Sequence, residues 1–175
     1  MEPTEKAAEK AAAPDAVDAI IGQWHSVRPE LDVRVMEVFG RVHRIAQAVS
    51  GHMEKTYARF GISRGEFDVL ATLRRAGEPY TLSPRQLSAT LMLTTGGMTG
   101  RLDKLERAGL LRRSPDPHDR RGLQVTLTGT GLELVDKAVV AGLDVRQELM
   151  SVLDDEQVEQ LSALLRTLLG GVTRA

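Results

Sequence analysis

Residues 83–128 (SPRQLSATLMLTTGGMTGRLDKLERAGLLRRSPDPHDRRGLQVTLT) constrain the fold more than any other stretch, because each segment carries its own start or stop signal. Ser83 followed by Pro84 is an N-cap residue with proline at the first helical position. Leu87, Leu91 and Leu93 give that helix an apolar side. A break at Thr94-Thr95-Gly96-Gly97 opens a second helix, whose Met98, Leu102 and Leu105 recur at i, i+4 and i+7. Gly109 terminates it as a C′ glycine. Leu110 to Arg113 then read as a strand, residues 114–122 as a polar turn with two prolines, and residues 123–128 as an alternating return strand.

Two apolar helices joined by a short turn form a helix-turn-helix pattern, and the hairpin after it makes a winged helix. With Met98, Leu102 and Leu105 inward, Thr95, Thr99, Arg101, Lys104 and Arg107 are predicted on the flanks or outside. Small residues at the start of such a helix let the backbone approach a groove, and hydroxyls and amides there suit phosphate. Arg120 and Arg121 at the hairpin tip suit a narrow, electronegative minor groove. Asp119 beside them is expected to pair with one of the two and orient it. Each piece alone is common in ordinary cores and solvated loops; their order is what points to DNA.

The segment TGRLDKLERAGL (99–110), then Asp116-Pro117-His118-Asp119-Arg120-Arg121-Gly122 and Leu127-Thr128-Gly129-Thr130-Gly131, resembles the MarR family of dimeric winged-helix regulators. The resemblance runs over roughly residues 35–169, and the wing with its aspartate and paired arginines is its most specific part. It implies a homodimer that binds a palindromic operator in double-stranded DNA and loses affinity when a small molecule binds. Thr130 departs from the charged residue many members carry before the glycine, at a helix start where nothing functional is at stake.

Composition narrows the classes around that reading. A chain of 175 residues suits one domain with appended helices, and 27% charged with 42% hydrophobic residues is ordinary for a soluble protein. At 3% aromatic, the core must be built from aliphatic residues and methionine. No cysteine excludes a disulfide scaffold, a thiolate metal site and sulfur-based redox sensing. No apolar run is long enough for a membrane span and no signal peptide is evident, so the cytoplasm is the expected compartment. The formal charge of −1 disfavours indiscriminate nucleic-acid binding, yet residues 83–122 hold eight basic against four acidic side chains. His25, His43, His52 and His118 show no metal-ligand spacing, and no nucleophile elbow or Walker loop is present. Neither an enzyme nor a cofactor is expected.

The chain reads as a disordered tail at 1–13, N-terminal helices at 14–60, the winged helix-turn-helix at 61–128 and C-terminal helices at 129–175. The predicted fold is mainly α with a small β-wing, dimerised through the N- and C-terminal helices. Pro14-Asp15 begins an appended helix at 16–27, with Val17, Ile20, Ile21 and Trp24 on its apolar side. A long helix is predicted over 31–60, capped by Asp32, with a buried stripe of Val35, Val38, Phe39, Val42, Ile45, Ala46, Val49, Met53, Tyr57 and Phe60. Gly40 and Gly51 weaken this helix or admit a close neighbour. Ser63 and Glu66 form a capping box for a helix over 64–76 that buries Phe67, Val69, Leu70 and Leu73. Residues 77–80 read as a loop. Thr128 caps a helix to about residue 153, with Leu132, Val135, Val139, Leu143 and Leu149 along it. Asp154, Asp155 and Glu156 open a last helix. The breadth of its leucine face (Leu161, Leu164, Leu165, Leu168, Leu169) calls for a partner beyond a small winged helix.

Asp68 sits among Phe67, Val69 and Leu70, where a carboxylate needs a partner, a cavity or an exposed flank. By resemblance, Trp24, Asp68, Arg101 and Arg113 match the urate-responsive branch of the MarR family, in which these positions form or communicate with the ligand site. Similar positions also occur in members responding to tricarboxylates such as trans-aconitate, so urate or xanthine and aconitate or citrate stay open as the small anionic effector. An arginine and an aromatic wall suit a planar anion. The plainer possibility is that Trp24 anchors an interface and Arg101 binds phosphate. A winged helix that recruits protein and never touches DNA is the alternative function.

Overall fold

In the computed structural model the described residues are 13–174, apart from 92–94, 118, 120 and 121. The expected tail at 1–13 and the breaking residues before Thr95 therefore lie almost wholly outside the described residues. Seven helices and three strands are seen among the described residues: α1 Ala16–Val27, α2 Arg34–Ala58, α3 Arg64–Arg75, β1 Thr81–Leu82, α4 Pro84–Leu91, α5 Thr95–Arg107, β2 Leu111–Pro115, β3 Leu123–Leu127, α6 Gly129–Met150 and α7 Asp155–Val172. They fall into two compact units, residues 1–49 and 50–175. None of the described helices is long and apolar enough to cross a membrane.

In the first unit, Asp15 caps α1 and forms a capping box with Asp18. Val17 and Ile21 pack with Val33 in a small core. Val17 comes so close to α2 that a Cβ on Gly40 would lie 3.1 Å from its methyl, so this glycine serves a close approach. Arg41 reaches back to both capping acids, at 2.9 Å from Asp15 and 2.6 Å from Asp18. Asp32 accepts from the Arg34 amide and pairs with its guanidinium, which draws its pKa down to about 2. The long helix is shorter than the sequence predicts, and of the stripe predicted to be buried Met53 and Tyr57 are buried whereas its N-terminal part is not. Val35, Val38, Phe39, Val42 and Ile45 are all exposed, and α2 buries only Met53, Thr56 and Tyr57. An apolar stripe tells that a helix has a partner, not that the partner belongs to the same chain.

The second unit holds the main core, in which Met53, Tyr57, Val69, Leu70, Leu73, Leu87, Leu105, Val125 and Val135 are essentially inaccessible to solvent. Phe67, predicted to be buried, is half-buried and stacks on Tyr57 with ring centroids 3.9 Å apart. Ser63 and Glu66 form the expected capping box on α3. The sheet order is β1-β3-β2, all antiparallel. β1 is missing from the sequence reading, since two residues are too few for an alternating pattern to show. Its Thr81 hydroxyl meets that of Thr126 across the sheet at 2.7 Å. Thr128 caps α6, which buries Gly131, Val135, Ala138 and Gly142 and leaves Leu143 half exposed. α7 begins at the Asp154 cap and buries none of its residues.

Candidate nucleic-acid interface

The Ser83 hydroxyl accepts from the Gln86 amide, and the Gln86 side chain accepts from the Ser83 amide, so α4 begins on a reciprocal cap. α4 then buries Leu87, and α5 buries Met98, Leu102 and Leu105, each at 3% exposure or less. α5 ends in a Schellman motif: Gly109 has a φ of +70°, its amide donates to Glu106 and the Leu110 amide donates to Leu105. The apolar stripe of α5 is therefore fully committed inward, and the opposite side presents Gly97, Thr99, Gly100, Lys104 and Arg107 to solvent. α5 begins at Thr95, whose side chain lies outside the described residues. Arg120 and Arg121 lie outside them too, with the expected pairing of Asp119 to one of them. The wing around them is closed by hydrogen bonds from Asp116 to Gly122 (3.0 Å) and from Gly122 to Asp119 (2.8 Å).

Both flanks of α5 are tied down by charge. On the wing side, Arg113 of β2 reaches Asp103 at 2.7 Å and Glu106 at 2.5 Å, while its backbone amide donates to Glu106 at 2.8 Å. Glu106 is held below the usual carboxylate range, first by the Arg113 side-chain hydrogen bond and then by the amide. Arg113 is raised in return. On the other flank, Lys104 pairs at 2.8 Å with Glu66 of α3, whose side chain is 5% exposed against 59% for the lysine. Burial pushes the Glu66 carboxyl up, but hydrogen bonds from Lys104 and the Ser63 amide outweigh it and its pKa lies below normal.

Arg101 occupies the same flank, half-buried. A Cβ on Gly65 would lie 2.5 Å from its Nε, so the guanidinium packs against the glycine and would have to shift for any larger residue there. Its Nη1 is buried without a hydrogen-bond partner among the described residues. Asp68, one helical turn beyond Gly65, is half-buried on a helix that buries Val69 to Leu73, and forms no ion pair among the described residues. Trp24 lies on α1 in the first unit, 37% exposed. A separate groove of about 410 Å³ runs between α4, α5 and the base of the wing, lined by Arg85, Ser88, Met98, Thr99, Arg113 and Leu123 among others.

The sequence reading missed Gly65 and Glu66 as neighbours of α5, and Asp103 and Glu106 as partners of Arg113. Only the Ser63–Glu66 capping signature was visible, and it accounts for Glu66 locally without indicating Lys104. Among the described residues, no group of three or more His, Cys, Asp or Glu could hold a metal ion.

A sequence model of the MarR family matches residues 60–122, which span α3, α4, α5 and the wing. The HTH-type transcriptional regulator PecS of Dickeya dadantii is 39% identical over 149 residues, covering 85% of this chain and 90% of that protein. The multiple antibiotic resistance protein MarR of Escherichia coli is 30% identical over 129 residues, covering 73% and 88%. A crystal structure of a single-site variant of E. coli MarR complexed with operator DNA superposes with a TM-score of 0.67, at 26% identity and with 83% and 97% of the two chains covered. With a winged helix-turn-helix in place and relatives of this similarity along most of its length, the chain belongs to the MarR family of transcriptional regulators.

Proposed function

We propose that this regulator is a homodimeric repressor that binds a palindromic operator and releases it when a small anionic effector binds. The observation that carries the DNA half is the commitment of α5's entire apolar stripe to the core, which leaves a glycine- and threonine-rich side of the helix facing outward. In this reading α5 enters the major groove with Thr95, Thr99 and Lys104 near DNA, and Arg120 or Arg121 reaches the flanking minor groove. The operator complex of the similar E. coli protein supports it. Such a protein works in the cytoplasm, where its DNA is.

The effector half rests on arginine chemistry. The unpartnered, buried Nη1 of Arg101 and the two arginines of the α4–α5 groove are donors of the kind that bind planar carboxylates or urate-like anions. Arg113 already holds two carboxylates of α5, so an anion that competes for it would loosen that helix. Asp68 and Arg113 join Arg101 in the proposed ligand set, with Trp24 as a fourth member whose part is read by its fluorescence on titration.

The test is binding to the DNA upstream of the protein's own gene, titrated with urate, xanthine, trans-aconitate and citrate at fixed salt. Tight binding released by one of them supports both halves and selects the effector class. Tight binding released by none removes the effector site, and no specific binding points to a protein-recruiting winged helix. Arg120→Ala and Arg121→Ala are each expected to weaken operator binding several-fold or more; unchanged affinity in both at matched salt would remove the wing from the interface. Asp68→Asn is expected to retain operator affinity and blunt effector release. A full response in that variant takes Asp68 out of the site.

A further inference from the structure

Three consecutive residues at the start of α3 each hold a different neighbour. The Arg64 side chain donates to Ser50 of α2 at 2.6 Å and its amide to Glu54 at 3.3 Å. Gly65 admits the Arg101 guanidinium, and Glu66 takes Lys104. Arg101 and Lys104 are i, i+3 neighbours on one flank of α5, so two adjacent residues of α3 grip one side of the helix. α5 needs such a grip, because it carries glycines at 96, 97 and 100, the residue with the weakest helix preference after proline. Arg113 secures the other flank.

We propose that Glu66 is a positioning residue for the recognition helix: by holding Lys104 from the first turn of α3 it sets the order of α5, and through Arg64 it links α5 to α2. The proposal rests on the reading of α5 as the DNA-contacting helix. The charge arrangement makes the roles separable. Glu66 is the buried member, so removing Lys104 strands a buried carboxylate, whereas neutralising Glu66 leaves only an exposed lysine. Glutamine at 66 still accepts from the Ser63 amide, so the helix cap survives.

The experiment compares Glu66→Gln, Lys104→Met and the double variant by amide hydrogen exchange of the free protein, thermal unfolding, and binding to operator and to unrelated DNA. Glu66→Gln is expected to speed exchange about tenfold within α5 and not in α6 or α7, and to lower operator affinity about tenfold. Its unfolding midpoint and its affinity for unrelated DNA should stay close to wild type. Lys104→Met is expected to lower the unfolding midpoint, and adding Glu66→Gln should restore it. Unchanged exchange in α5 together with unchanged operator-to-unrelated ratio would reduce Glu66 to a helix cap and overturn the proposal. If the wild-type protein binds no operator, the DNA reading fails; the exchange data still decide the joint on their own.

Discussion

Replacing Gly131 with alanine is expected to destabilise the fold by about 3 kcal/mol or more. Gly131 sits in the first turn of α6, where an added Cβ would lie 1.9 Å from the carbonyl oxygen of Leu110 and 2.8 Å from its carbon. Both atoms are backbone, so no side-chain rotation relieves the overlap. Nor can the backbone step aside easily. The Leu110 carbonyl accepts from the Thr128 amide, the Thr128 hydroxyl donates to the Gly109 carbonyl at 2.7 Å, and the same hydroxyl accepts from the Gly131 amide at 3.0 Å. The cap of α6 is in this way stitched to the end of α5, and a shift at one must disturb the other. Urea unfolding at matched protein concentration measures the effect, with Gly129→Ala as the control because an added methyl there would meet nothing within 4 Å. Equal stability of the two variants would show that the junction yields more readily than its hydrogen bonds imply. Loss of operator binding alongside loss of stability would also be expected, since the junction is where α5 ends.

Leu164→Glu is expected to halve the mass in solution, from twice 19.1 kDa to 19.1 kDa, and to weaken operator binding about 100-fold or more. α7 buries none of its residues, and Leu164 and Leu169 are 70% and 63% exposed, with Leu161 and Leu165 beside them on the same helix. An 18-residue helix with that face open to water has no reason to remain folded on its own chain. Each leucine removed from water by a partner contributes about 1.5–3 kcal/mol, and a glutamate in their midst reverses that term and adds the cost of a buried charge. On the proposed palindromic operator the fall in DNA affinity follows because two linked half-site contacts hold a dimer, and a monomer makes one. Sedimentation equilibrium with a parallel DNA titration tests both. A variant that keeps the dimer mass removes α7 from the proposed interface; a monomer with undiminished affinity would mean that operator binding does not need two copies.

Much of the architecture was legible because its signals are local. The Ser63, Thr128 and Asp154 caps, the Gly109 terminus and the extent of α1 each depend on a few neighbouring residues, and all stand where the sequence places them. The wing strands were legible for the same reason, their turn being flanked by prolines and a glycine. β1 was not, since a two-residue strand exists only through its pairing with β3. The apolar stripe of α2 was legible as a pattern, but only its C-terminal part, Met53 and Tyr57, is buried within this chain, because periodicity reports that a face is apolar without saying what covers it.

The candidate site divides along the same line. Residue type and helical phase nominate Thr99 and Lys104, since both follow from the order of residues along one helix, whereas Arg113 is nominated by resemblance to the urate-responsive branch. What each side chain holds was decided by packing. Lys104 meets Glu66, and Arg113 meets Asp103 and Glu106, through contacts that arise only once α3, α5 and β2 are brought together. Capping, helical period and turn chemistry act over about four residues, so the order of residues was enough to specify the elements and their succession. Ion pairs and glycine clearances depend on which elements meet and at what distance, so the way α5 is held emerges only when the chain has packed.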